Sequence, residues 1–154
     1  MSTFAKDTSV SVSRSKAEIE GIVERYGAGQ FMSGWSGDQA AVGFTMEGRQ
    51  VRFIVELPSK QDEAFTTTPT GKARAPDASL KAWEQACRQR WRALALVIKA
   101  KLEAVESGIS VFEDEFMANI VMPNGRTVSQ EIRPRIAAAY ENGTVQPLLP
   151  DYSA

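Results

Sequence analysis

From Leu80 to Glu106 the chain runs 27 residues without a glycine or a proline. Those two residues cost a helix interior most, so their absence predicts one continuous helix, about 40 Å long at 1.5 Å per residue. Trp83, Cys87, Trp91, Leu94, Ile98, Leu102 and Val105 recur in steps of three and four, one apolar stripe along that rod. Ser79 reads as the cap that opens it and Gly108 as the stop, a helix over about 79–106. The section Ala93-Leu-Ala-Leu-Val-Ile98 is apolar on nearly every face, so it must be covered on two sides. A rod of this kind needs a second layer to pack against.

The segment before it supplies one. Gln30–Trp35, Gln39–Met46 and Arg49–Leu57 read as three strands, joined by Ser36-Gly37-Asp38 and Glu47-Gly48. Val42, Phe44 and Met46 alternate on one face of the second strand, and Val51, Phe53, Val55 and Leu57 on one face of the third. Short connections make the sheet antiparallel. Upstream, Thr8–Ser13 alternates Ser with Val and reads as a short strand, followed by a helix over Lys16–Tyr26 opened by a Ser15/Glu18 capping box. Residues 59–77 hold two prolines and four threonines and read as a mobile Thr/Pro-rich loop.

After the long helix, Val111–Ala118 reads as a short helix with acids in its first turn. Met122-Pro-Asn-Gly125 reads as a turn between Asn119–Val121 and Arg126–Val128. Thr127 with Gln130 forms a capping box for a last helix that Pro134 must kink or restart and Asn142-Gly143 ends. The tail, 144–154, reads as irregular, with Leu148-Leu149 docking on the domain. The expected architecture is one α+β domain over 1–154: a small antiparallel sheet packed on one long helix, with several short helices around it.

Composition excludes more than it selects. Histidine is absent, which removes Ser–His and Cys–His nucleophile pairs, His-ligated zinc and the usual base near neutral pH. Cys87 stands alone, so no internal disulfide forms, as in a reducing compartment. No apolar run approaches the ~20 residues of a membrane helix, and Met1–Ser15 lacks the apolar stretch of a secretory signal. The expectation is a cytoplasmic protein without cofactor, metal or membrane partner. The run Glu113-Asp-Glu115 does not alter this, since successive helical side chains point about 100° apart and cannot converge on one ion unaided. The glycines at 27, 29, 34, 37, 43 and 48 match no phosphate-loop spacing.

The net charge of -1 makes any anionic partner a matter of a local patch. Between Glu84 and Glu103 lie Arg88, Arg90, Arg92, Lys99 and Lys101 with no acid among them. Helical spacing puts Lys81, Arg88, Arg92 and Lys99 on one stripe, and Arg90 and Lys101 on another side. One reading is a guanidinium row for phosphates, joined by Lys72 and Arg74 from the loop, with Trp91 as a stacking platform for a base. The other is a solvated face paired with acids from elsewhere, with Trp91 in the core. Arg52 and Glu56, on the outward face of the third strand, read as partners in cross-strand pairs rather than as a binding face, and Cys87 reads as an inert core residue.

Arg88-Gln-Arg-Trp-Arg92 through Ile109, Glu113–Phe116, Met122-Pro-Asn-Gly-Arg-Thr-Val128, Arg14–Ile19 and Arg25–Ala28 resemble a group of small proteins encoded by tailed phages and prophages. The resemblance spans about Thr8 to Pro150 and carries no activity, cofactor or site residue with it. It implies a setting, the interior of an infected bacterium. The order helix–strand–strand–strand–helix also resembles that of double-stranded-RNA-binding domains, without their basic pattern. The leading expectation is a non-enzymatic phage accessory protein that binds nucleic acid or a phosphorylated nucleotide. The alternative is a protein-binding module: an inhibitor of a host defence enzyme, or a homo-oligomer joined through the apolar helix centre.

Overall fold

A computed structural model describes residues 4–149. Its order is α1 (Val12–Arg25), β1 (Gln30–Ser36), β2 (Gln39–Met46), β3 (Arg49–Glu56), α2 (Glu63–Thr66), α3 (Pro76–Glu106), α4 (Phe112–Phe116) and α5 (Val128–Asn142), with a 3-10 turn at Met117–Asn119. The α+β architecture is the expected one. The strands pair antiparallel in the order β1-β2-β3, with Val42 between Ser33 and Phe53, and Phe44 between Phe31 and Val51. Alternation then sends Ala40, Val42, Phe44, Met46, Val51, Phe53 and Val55 to one face, where all are buried.

That face lies against α1 and α3, which also pack on each other. Cys87, Trp91, Ala95, Ile98 and Leu102 are the buried residues of α3, and Ile19, Ile22 and Val23 those of α1 contributing apolar surface. The second cover over the apolar helix centre is therefore α1, and Val97 is the one large apolar residue of that section left exposed. Within that section Ala95 and Ile98 are buried inside the chain. Phe112 and Phe116 of α4 close the far end, Phe116 meeting Phe44 and Phe53 edge-on at 6.0 and 6.3 Å between ring centroids.

Several local expectations are corrected. Thr8–Ser13 is no strand: Ser11 is the N-cap of α1, accepting from the Arg14 N–H, and Val12 is the first helical residue. Six residues of Ser/Val alternation carry little weight against a cap that satisfies an orphan donor. Ser15, foreseen as the cap, is buried inside the helix. The long helix starts at Pro76, before Ser79, because proline fits the first turn where its missing N–H has no partner to lose. Residues 59–77 contain α2, capped by Asp62, and a bridge between Thr67 and Ala73.

On the β3 side the sheet is extended by the segment after the 3-10 turn. Ile120 bridges Val51, and Val121 bridges Thr127 across the expected turn. Glu56 makes the expected cross-strand pair, accepting from Gln39 opposite it on β2 at 2.7 Å, whereas Arg52 reaches past the strands to the Gly125 carbonyl at 2.8 Å and to Gln130. The Thr127/Gln130 capping box forms as read, and α5 continues through Pro134. Proline there leaves the Gln130 carbonyl without its helical donor; the Arg126 guanidinium donates to that oxygen at 3.2 Å instead. Gly143, at φ 67°, ends the helix as expected. In the tail, Leu148 and Leu149 are partly exposed, and the Pro147 carbonyl accepts from Arg135. The rest of the tail reading falls on 150–154, outside the described residues.

Candidate functional site

The seven cations singled out in the sequence do not form one surface. Arg92 points to α1 and grips both carboxylate oxygens of Glu18. The guanidinium holds the Glu18 carboxyl below the usual range, against the opposing effect of partial burial, with Lys99 and Arg14 adding a weaker pull. Lys99 is exposed beside this pair. Arg90 donates to the Glu56 carbonyl at 3.0 Å and ties α3 to the end of β3. Lys101 reaches α4, donating to the Glu115 carbonyl at 2.9 Å and pairing with its carboxylate, over the ring of Phe116. Lys72 is exposed within the Thr67–Ala73 turn, and Arg74, half-buried, follows it with its backbone N–H donating to the Thr66 carbonyl at 2.8 Å. The acid run is likewise split, Glu113 pairing with Arg49 and Glu115 with Lys101.

Arg88 is different. Its Nε and one terminal nitrogen donate to Gln85 Oε1 at 2.9 and 2.6 Å, a neutral acceptor that orients the guanidinium without cancelling its charge. It lines a groove of about 340 Å³ between α1, the turn end of the sheet and the first half of α3, together with Val12, Lys16, Trp35, Ala40, Leu57, Trp83, Glu84, Cys87 and Trp91. All three tryptophans of the chain meet there. Trp91 is the floor, 2% exposed, so it belongs to the core rather than to a stacking platform. Trp83 is half-buried and anchored by its indole N–H to the Pro58 carbonyl at 2.7 Å. Trp35, last but one in β1, is 75% exposed on the rim.

Three cations surround these rings. The Lys16 ammonium lies 4.8 Å from the centroid of Trp91, and that of Lys60 lies 4.5 Å from Trp83. Lys16, Lys60 and Arg88 are in no ion pair among the described residues, and Glu84 is the one acid lining the groove. The local balance is positive in a chain whose total is negative. Cys87 adds no nucleophile, since burial pushes its thiol up, further from the thiolate. The groove combines an exposed indole, an anchored indole and cations in no ion pair among the described residues, a set suited to a planar ring carrying an anion.

Sequence reading found Arg88 and missed Lys16, Lys60, Trp35 and Trp83. The available signal was the tryptophan count itself, three large rings of which a single helix stripe uses only two. Comparison of the chain with protein-family models, curated proteins and solved structures finds no match. What the groove takes must be read from its own chemistry.

Proposed function

We propose that this chain is a binding protein for a phosphorylated nucleotide, free or terminating a single strand of nucleic acid, and that the tryptophan groove is the site. Trp35 offers its face to the base, Trp83 walls the other side, and Arg88 with Lys16 meets the phosphate. The observation that carries this is the convergence of all three indoles with cations that form no ion pair among the described residues. A volume near 340 Å³ matches the lower range of small-ligand sites. No helix among the described residues is long and apolar enough to cross a membrane. In this reading the binding is a phage accessory function in the cytoplasm of a bacterial host, the setting that the resemblance noted in the sequence implies.

Calorimetric titration with adenosine, AMP, ATP, inorganic phosphate and a short oligothymidylate tests the reading. AMP and ATP should bind more tightly than adenosine or phosphate alone, and added salt should weaken them by screening the groove. Arg88→Gln should cost about tenfold, the weight of one charge-assisted hydrogen bond. Equal affinity for adenosine and AMP, or no heat from any of the five probes, overturns it.

A further inference from the structure

β1 is an edge strand, and no other element pairs with its outer side among the described residues. Proteins usually guard such an edge with lysine, proline, a bulge or a covering loop. Gln30-Phe-Met-Ser-Gly-Trp-Ser36 has none of the first two: seven residues, no charge and no proline. Its continuous register with β2, from Gln30↔Thr45 to Ser36↔Gln39, skips no residue and so contains no bulge. The opposite edge is handled otherwise, being capped by the Ile120 bridge to Val51. Charges that share a pocket lining with the strand, among them Glu20 and Glu24 on α1 and Arg52 on β3, stand on other elements.

The order of residues in β1 is complementary to its own reversal. An antiparallel pair of two copies about a two-fold axis at Ser33 sets Met32 opposite Gly34, Phe31 opposite Trp35 and Gln30 opposite Ser36. Each large residue on the outer face meets a small one, and the inner face pairs an aromatic with an aromatic. Met32 is 73% exposed and Trp35 75%, both ready to be covered. Nothing lies within 4 Å of where a Cβ would stand on Gly34, so the space that Met32 of a second copy needs is open. We infer that the chain forms a symmetric dimer by pairing β1 with β1 of a second copy, making one continuous six-stranded sheet. A basic or foreign peptide would find no special match on this strand, whereas the strand matches itself. Trp35 belongs to both surfaces, since it lines the groove and stands opposite Phe31 of the second copy; a mass read without nucleotide keeps the outcome for the dimer separate from that for the ligand.

Sedimentation equilibrium across a wide concentration range reads the outcome as mass, against 16.9 kDa for one chain. The expected species is twice that mass. Met32→Lys and Gly34→Glu each place like charges beside the axis and should return the single-chain mass with unchanged circular dichroism. Ser33→Cys, made with Cys87→Ala, should form an intermolecular disulfide under mild oxidation, because the two position-33 residues face each other only in this register. A single-chain mass at every concentration overturns the inference. So does a dimer that persists in Met32→Lys or Gly34→Glu, or one that Ser33→Cys fails to cross-link.

Discussion

Arg92 and Arg88 lie one helical turn apart on α3, yet the structure gives them opposite work, and replacing each in turn separates the two. Arg92→Met keeps most of the side-chain stem and removes the guanidinium that clasps Glu18. The pair is partly shielded, with 18% of the arginine side chain and 34% of the glutamate side chain accessible. An exposed pair contributes about 0–1 kcal/mol, and a hydrogen bond to a charged group about 1.5–3 kcal/mol. A half-shielded, two-pronged contact belongs between these, so Arg92→Met should lose about 1–2 kcal/mol. For a domain of this length that is a fall in Tm of roughly 2–8 °C. Glu18→Gln should lose less, since it leaves no unpaired carboxylate behind, and the double variant should fall short of the sum.

The pH dependence has a defined sign. The Glu18 carboxyl is lowered on folding, chiefly by its hydrogen bond to Arg92. Its contribution is therefore present above the ordinary carboxyl range and is lost as pH falls through the lowered folded value. The gap between the native chain and Glu18→Gln in urea denaturation should be full at pH 7 and close on acidification below about 4.3, the unperturbed glutamate value. Nucleotide binding at pH 7 should be unaffected by Arg92→Met. Arg88→Gln should do the reverse, with binding lost and stability nearly intact. An Arg92→Met protein as stable as the native chain but unable to bind would refute the division of labour.

Other perturbations follow from the packing. Phe116→Ala removes the ring that meets Phe44 and Phe53 at the end of the core and should cost about 3–5 kcal/mol in chemical denaturation. Thr127→Ala removes the N-cap oxygen from the Gln130 N–H and should cost about 1 kcal/mol. The Cys87 thiol, 7% exposed and pushed up by burial, should resist a thiol reagent in the native chain and react fully once urea unfolds it.

The parts of the fold visible in the sequence are those with local causes. Glu47-Gly48 and the alternation of Val51, Phe53 and Val55 fix a hairpin within a dozen residues, and the Thr127/Gln130 box fixes a helix start within four. The beginning of α1 was harder, because Ser11 and Ser15 both have cap chemistry and only packing against α3 decides that Ser15 goes inside. The basic row failed as a single surface for a related reason. Helical spacing says which cations share a stripe but not which carboxylate another element brings to it, and Glu18 lies 74 positions from Arg92. The groove needs Trp35 and Trp83 from segments that meet only when α3 lies across the sheet. No local pattern announces that meeting.

Because Trp35, Trp83 and Trp91 all line the groove, the entire indole fluorescence of the chain comes from the site itself. Titrating AMP while following that emission is the most direct examination of the central claim. A saturable change that Arg88→Gln weakens about tenfold and Arg92→Met leaves in place is the predicted result. Emission that stays flat up to millimolar AMP, or that responds equally to adenosine, contradicts it.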